Sequence, residues 1–329
     1  MIGEFLGLLL LLTAAAALLS YGTEVFAEKF GAHFTGSVLL ALITTLPEYM
    51  FVIWAAIKGQ YDMAIGSAVG ACTLLVTLGY GTVILFATTR VSRRPVPVVE
   101  LSPGTRVDAL YLLVTAAVAL LLAWEGNGFD LKDGIILSLV FVVYVLQLSR
   151  RAIHFARDNS NPRPSRRRLL MASSLLLGGG AAVIFLSEPF VDSMLHLARD
   201  IGVSPMAIAI ILGPFASEMP EKITAYITVI RNGRLAEISV CNFIGSKVNH
   251  NSLLLGTMPI VAVLQGQSGV AGIVSLPFIT MTALTVVATL SLSRRRLERW
   301  QGVVFALLYV MVIWGAFHVG AGQMPAAHG

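Results

Sequence analysis

The sequence predicts an all-α integral membrane protein of about ten transmembrane helices. Composition, the spacing of apolar runs and the distribution of charge all support this fold class. Of the 329 residues, 56% are hydrophobic and only 12% are charged, which is about half the charged share of a soluble domain. Because one membrane span needs about 20 apolar residues, the chain is long enough for about ten crossings joined by short loops.

Apolar runs follow one another along the whole chain. The first run differs from a signal peptide because it lacks a basic leading segment and contains Glu4. We therefore predict one span in each of the runs 4–26, 33–57, 62–89, 107–124, 134–150, 169–190, 203–230, 235–264, 269–292 and 300–320.

The basic residues of the loops favour one side of the membrane. If successive loops alternate sides, nearly all Lys and Arg residues fall on one side, and the other side collects only Lys58, Lys132 and Arg199. The positive-inside rule then predicts a multi-pass protein of the plasma (inner) membrane with cytoplasmic basic loops and both termini outside. The net charge of +5 therefore reflects lipid topology, and we expect the lipid bilayer rather than nucleic acid as the partner.

The chain divides into two halves. We predict a first five-helix repeat at 1–150, a basic cytoplasmic linker at 151–168 and a second five-helix repeat at 169–329. The linker is rich in Pro, Asn and Arg, which is typical of a solvated loop. It separates two stretches of matching layout, at 36–81 and 204–256.

The matching stretches indicate an inverted repeat. Pro47-Glu48 corresponds to Pro220-Glu221, and further along Asp62, Gly70 and Gly81 correspond to Glu237, Gly245 and Gly256. Because an odd number of spans separates the copies, they cross the membrane in opposite directions. Inverted repeats are typical of secondary transporters, whose sites lie at the midplane between two broken helices.

Each Pro-Glu pair lies in the middle of a predicted span. A proline removes one backbone N–H and frees a carbonyl oxygen, which at this depth is tolerated only beside protein, water or a cation. Thr44 and Ser217 lie four residues before Glu48 and Glu221, on the same helix face. Two inverted copies therefore predict two carboxylates and several neutral oxygens in one place, which suits a hard cation.

These residues also carry a family resemblance. One half contains Thr44-Thr45-Leu46-Pro47-Glu48, Asp62-Met63-Ala64-Ile65-Gly66 and Gly70; the other contains Ser217-Glu218-Met219-Pro220-Glu221, Asn242 and Gly245-Ser246. They resemble the two signature repeats of the cation/calcium exchanger superfamily, which includes sodium/calcium and cation/proton antiporters. The resemblance implies that Glu48 and Glu221 are the central cation-binding carboxylates, and that Thr44 and Ser217 complete the site.

The sequence departs from the family pattern at several positions. Where members usually read Gly-Ser-Asn, the first repeat has Gly70-Ala71-Cys72. The second repeat keeps Ser246 but has Lys247 in place of the usual Asn, and His250 near an expected acid. These changes remove ligands of the four-site arrangement that the resemblance implies for sodium/calcium exchange.

Further polar residues of the second repeat are candidates for the site. We expect Glu218 and Ser246 to join the cation-binding set, although Glu218 and Lys222, four residues apart, could equally form a supporting ion pair. Lys247 has no acid three or four positions away, so we expect Glu48 or Glu221 as its partner and a role in coupling or charge substitution. A second group has two open interpretations, ion coupling or helix packing: Asn242, Asn249 and His250.

Charge balance favours exchange. A site with only Glu48 and Glu221 would need a divalent ion or two protons, whereas a charged Lys247 lowers the requirement to one Na⁺ or one proton. We therefore predict a secondary active antiporter that moves Ca²⁺ or Na⁺ by alternating access in exchange for H⁺. The alternatives are a Na⁺/Ca²⁺ exchanger with reduced Na⁺ sites and a channel-like or non-transporting protein on the same fold. The sequence contains no nucleophile elbow, HExxH or phosphate loop, so we expect neither an enzyme nor a cofactor beyond the transported ions.

Overall fold

The computed structural model describes residues 2–30, 45–156 and 165–322. Within these ranges the chain is almost entirely helical, and its helices follow the predicted apolar runs. Six of the described helices are long and apolar enough to cross a membrane by themselves. The predicted all-α membrane fold is confirmed.

Helices of the first half belong to five successive spans. They are α1 (Ile2–Phe30), α2 (Leu46–Ile57), α3 (Tyr61–Leu74), α4 (Tyr80–Thr88), α5 (Pro103–Gly126) and α6 (Leu131–Ala156). The predicted second span starts outside the described residues, which resume at Thr45. Helix α6 continues to Ala156, so the first residues of the predicted linker are helical.

Helices of the second half repeat this order. They are α7 (Arg166–Ile201), α8 (Pro205–Ser217), α9 (Met219–Arg231), α10 (Ala236–Asn249), α11 (Leu255–Leu264), α12 (Leu276–Ser293) and α13 (Arg299–Gly322). A short 3₁₀ turn, Gly233–Leu235, precedes α10.

The second span of the second half is broken in its middle. Helix α8 ends at Ser217 and α9 begins at Met219, with Glu218 between them. Pro220 is the second residue of α9, as Pro47 is the second residue of α2. A proline costs no hydrogen bond in the first turn of a helix. Each proline therefore allows a new helix to start within an apolar run.

The third span of each half contains a π-helical turn. Leu75–Gly79 joins α3 to α4, and His250–Leu254 joins α10 to α11. The two turns occupy matching positions, since each begins five residues after Gly70 or Gly245. π turns are rare and occur frequently at functional sites.

Paired glycines join the third spans to the last spans. A Cβ atom at Gly81 of α4 would lie 2.9 Å from the carbonyl oxygen of Gly302 in α13. Likewise, a Cβ atom at Gly256 of α11 would lie 2.8 Å from the carbonyl oxygen of Gly134 in α6. Small residues allow membrane helices to approach this closely. Each pair links the third span of one half to the fifth span of the other half, as an inverted repeat requires.

Two short antiparallel sheets connect the halves. Strand β1 (Val99–Glu100) pairs with β4 (Arg296–Leu297), and β2 (Gly128–Asp130) pairs with β3 (Gly269–Ala271). Strands β1 and β3 follow the third spans of their halves, whereas β2 and β4 follow the fourth spans. The inverted repeat therefore relates one sheet to the other, and the two sheets lie at opposite ends of the helical bundle.

Large apolar side chains cover the outside of the bundle. Examples are Phe185 and Leu177 of α7, which are 79% and 76% exposed, and Trp124 at the end of α5. A soluble protein rarely exposes apolar surface on this scale. The exposed faces match a lipid-facing exterior.

Candidate cation-binding site

Two glutamates occupy the same helical position in the two halves. Glu48 is the third residue of α2 and Glu221 is the third residue of α9. Both side chains are buried. The unpaired N–H groups at a helix start carry partial positive charge, which stabilises a nearby carboxylate. The helix starts therefore offset part of the free-energy cost of burying two acids.

Glu48 reaches the break in the other half. The Ser217 hydroxyl, at the end of α8, donates a hydrogen bond of 3.3 Å to the Gly213 carbonyl oxygen and lies beside the Glu48 carboxylate. One carboxylate oxygen of Glu48, one of Glu218 and a ring nitrogen of His250 all lie within 4.8 Å of one another. The first-half acid thus meets Glu218 and His250 of the second half, whereas Glu221, the carboxylate that the repeat predicted as its partner, is not part of this group of ligand atoms.

Glu221 is held by the third span of its own half. The Ser246 hydroxyl donates a hydrogen bond of 2.8 Å to Oε1 of Glu221, and Asn242, one turn earlier in α10, lies beside this carboxylate. The hydrogen bond from Ser246 fixes the direction of the carboxylate. Gly70 of the first half allows α3 to approach α8 closely. A Cβ atom at Gly70 would lie 2.3 Å from the carbonyl oxygen of Ile210.

Glu218 forms an ion pair at the break. Lys222 Nζ lies 3.5 Å from Glu218 Oε2, and both side chains are almost completely buried. The four-residue spacing therefore produces the ion pair that was one of its two interpretations. Lys222 also interacts electrostatically with Glu48 and Glu221, so its ammonium offsets the negative charge of all three carboxylates.

Lys247 has a different partner from the one expected. Its Nζ donates a hydrogen bond of 2.9 Å to Oδ1 of Asn251 and lies beside Cys72 of α3. A neutral amide one turn away, rather than Glu48 or Glu221, is the hydrogen-bond partner. Asn251 lies four residues after Lys247, so an amide at helical spacing takes the place of the acid that was expected.

His250 and Asn249 lie where α10 passes into its π turn. His250 Nδ1 is 2.5 Å from the Ser246 carbonyl oxygen, and Nε2 is 3.3 Å from Glu218 Oε1. Asn249 connects the halves, because its Nδ2 donates to Thr45 Oγ1 at 2.8 Å and its Oδ1 accepts from the Tyr49 hydroxyl. Its contacts therefore match the helix-packing interpretation.

The predicted set of site residues differs from the described cluster at Thr44 and at two further residues. Thr44 lies outside the described residues, and its neighbour Thr45 is buried and contacts Asn249. Sequence reasoning missed Asn251 and Tyr49, whose hydrogen bonds complete the cluster. Asn251 could have been found from its four-residue spacing to Lys247, whereas the contact of Tyr49 joins two halves of the chain and has no local signal.

Some buried polar atoms of the cluster have no hydrogen-bond partner among the described residues. They are Glu48 Oε2, both carboxylate oxygens of Glu218, Lys222 Nζ, His250 Nε2 and Asn251 Nδ2. Buried polar atoms are normally paired. Unpaired oxygens of buried acids are the groups that a proton or a metal cation would satisfy.

Comparison with known proteins shows what kind of molecule contains this cluster. The family model described as sodium/calcium exchanger protein matches residues 2–149 and 171–317. The chain belongs to this family. The inner membrane protein YrbG of Escherichia coli is 23% identical to this exchanger over 316 residues, which cover 93% of each chain.

Solved structures share the fold of this exchanger. The sodium-calcium exchanger NCX_Mj has a TM-score of 0.68 and 21% identity, with 95% of this chain and 97% of the other covered. The H⁺/Ca²⁺ exchanger CAX has a TM-score of 0.77 and 20% identity, with 97% and 85% covered. The resemblance to the cation/calcium exchanger superfamily is confirmed, and the chain is a multi-pass membrane transporter rather than an enzyme.

Proposed function

We propose that this exchanger is a secondary active antiporter that moves Ca²⁺ or Na⁺ in exchange for H⁺ through the cluster around Glu48 and Glu221. One observation carries the proposal: ligand atoms of Glu48, from the first half, and of Glu218 and His250, from the second, lie within 4.8 Å of one another. A site shared by two inverted repeats is the arrangement that alternating access requires.

Charge balance supports coupling to protons. Three buried carboxylates, those of Glu48, Glu218 and Glu221, lie in one cluster with two buried ammonium groups, those of Lys222 and Lys247. With a neutral imidazole, the cluster keeps one net negative charge. One proton or one Na⁺ neutralises it, and a divalent ion does so if a proton leaves as it binds. Because a net charge is costly inside a membrane, the empty cluster is disfavoured in an occluded state and the two ions exchange.

Sodium/calcium exchange with reduced Na⁺ sites is the second candidate, and the likeness to NCX_Mj favours it. The third span of the first half argues against it. Ala71, Leu74 and Leu75 occupy the positions that match Ser246, Asn249 and His250. Apolar side chains leave few oxygen ligands there for several Na⁺ ions.

The proposal includes the orientation and division of the chain. The basic loops lie in the cytoplasm and both termini lie outside, in the inner or plasma membrane. The two functional repeats are 1–150 and 169–329, joined by 151–168. The oligomeric state is left open.

Transport in proteoliposomes tests the proposal. A pH gradient is imposed, and uptake of Ca²⁺ or Na⁺ is compared between wild type, Glu48→Gln and Glu221→Gln. We expect both substitutions to reduce uptake by more than roughly tenfold, because even second-shell changes at metal sites cost about 10–100-fold in affinity. The matched control is Glu125→Gln, an exposed acid at the end of α5, which should transport like wild type.

The same vesicles separate an antiporter from a channel. Uptake through an antiporter depends on protons on the opposite side, whereas a channel conducts without them. Uptake that persists in both glutamine variants would remove the proposed site, and uptake without dependence on the opposite side would favour the channel.

A further inference from the structure

The His250 ring is oriented as a metal ligand. Nδ1 lies 2.5 Å from the carbonyl oxygen of Ser246, and a carbonyl oxygen only accepts hydrogen bonds. Nδ1 therefore carries the proton, and in the neutral ring Nε2 carries the lone pair. Metal-binding histidines are held in this way, with the second ring nitrogen bound to a carbonyl or a carboxylate.

The lone pair of His250 faces an acid. Nε2 is 3.3 Å from Glu218 Oε1, and neither atom has a hydrogen-bond partner among the described residues. Both side chains are completely buried. Two electron-rich atoms at this distance repel each other unless a proton or a metal cation lies between them. One carboxylate oxygen of Glu48 lies within 4.8 Å of a ring nitrogen of His250 and of a carboxylate oxygen of Glu218.

We infer that Glu48, Glu218 and His250 bind a first-row transition-metal dication as transported substrate. The inference deepens the proposed antiport function and rests on it. The separation of 3.3 Å between Nε2 and Oε1 equals the edge of a tetrahedron around an ion with bonds of about 2.0–2.2 Å, the length typical of zinc ligands. Imidazole suits Zn²⁺ and neighbouring metals, whereas Ca²⁺ takes oxygen ligands.

The remaining charged groups leave this position free. Lys222 Nζ is nearest to the other oxygen of Glu218, Oε2, at 3.5 Å, and therefore offsets one negative charge at that oxygen. Glu221 is held by Ser246, and Lys247 is bound to Asn251. The three ligand atoms supply part of a coordination shell, and an open position for water is usual where an ion must enter and leave.

Co²⁺ binding to the purified full-length chain tests the inference. Co²⁺ is titrated into the protein in detergent and followed by its visible absorption, with Ca²⁺ added afterwards as a competitor. We expect saturable Co²⁺ binding, and Ca²⁺, which the same cluster is proposed to transport, should displace Co²⁺ only at a concentration far above that of Co²⁺. His250→Gln should weaken Co²⁺ binding by about tenfold or more, and the exposed His196→Gln is the matched control.

Two results would overturn the inference. One is wild-type protein that binds no Co²⁺ or releases it to an equal concentration of Ca²⁺, a measurement that does not depend on whether a variant folds. The other is folded His250→Gln protein with wild-type Co²⁺ affinity. If either result is found while proton-coupled Ca²⁺ or Na⁺ uptake remains sensitive to Glu48→Gln, only this inference fails. If Co²⁺ binds but no cation is exchanged, the proposed function fails.

Discussion

The broken helix of the second half carries charges where the matching helix of the first half carries none. Glu218 and Lys222 occupy the positions of Thr45 and Tyr49, counted from the shared Pro-Glu pair. The frame is nevertheless the same, with a helix start before each glutamate and a π turn in each third span. Under the proposed function, the symmetric backbone would permit two opposed states, and the asymmetric side chains would determine which ions bind.

The third spans show the same contrast. Ser246 and Lys247 of α10 correspond to Ala71 and Cys72 of α3. The second half contributes most of the polar side chains of the cluster, and the first half contributes Glu48, Thr45 and Tyr49. Substitutions at matched positions can therefore separate effects on the frame from effects on ion chemistry.

The largest effect is expected at the charged break. Lys222→Met leaves Glu218 without its ion-pair partner and raises the net charge of the cluster to two negative charges. Removing one partner of a buried ion pair destabilises a protein by about 3–5 kcal/mol. We expect a lower unfolding temperature and a shift in uptake from Na⁺ toward divalent ions.

Tyr49→Phe, at the matching position of the first half, is the control. It removes one hydrogen bond to Asn249, worth about 1 kcal/mol, and no charge. Thermal unfolding in detergent and competitive ion uptake measure both variants. Equal destabilisation by the two substitutions would show that the charged pair is not a special feature of the second half.

The glycine pairs should show the opposite behaviour, with equal effects in both halves. Gly81→Ala and Gly256→Ala each place a Cβ atom within 3 Å of a facing carbonyl oxygen. Overpacking of this kind costs about 1–3 kcal/mol, measured as lost thermal stability. Gly178→Ala in α7 has open space around its Cβ atom and should not be destabilised. A large effect at one member of the pair and none at the other would contradict a symmetric frame.

A smaller effect is expected at the third-span lysine. Lys247→Asn removes one positive charge from the cluster, so preference should move toward divalent ions by about tenfold, or 1.4 kcal/mol. Cys72→Ser, at the matching position of the first half, changes no charge and should keep the wild-type preference. Competitive uptake of Ca²⁺ and Na⁺ measures both. Unchanged selectivity in Lys247→Asn would mean that this ammonium takes no part in charge compensation.

Local chemistry explains how much of the fold the sequence could predict. The apolar runs and the positions of Pro47 and Pro220 are properties of single segments, and the repeat follows from comparing two such segments. The described helices follow these runs and repeat their order. The π turns were not predicted, because Leu75–Gly79 and His250–Leu254 contain no residue that distinguishes a π turn from an α-helix. Their position depends on packing between spans.

The site was predictable in part for the same reason. Proline fixed the helix starts, and hence the helical positions of Glu48 and Glu221. The contact of Glu48 with His250 joins spans far apart in the chain, and no spacing rule predicts it. The partner of Lys247 was missed although it lies at helical spacing, because a buried ammonium can be satisfied by an amide as well as by an acid.

The two small sheets limit how the molecule can move. Strands β1 to β4 flank the third, fourth and fifth spans of both halves, and their backbone hydrogen bonds run between the halves at both ends of the bundle. Rigid separation of the halves would break one sheet or the other. The first two spans of each half, which include both Pro-Glu segments, are outside these ties. Access to the cluster would then change as these four spans slide along the third, fourth and fifth spans, which stay joined by the two sheets.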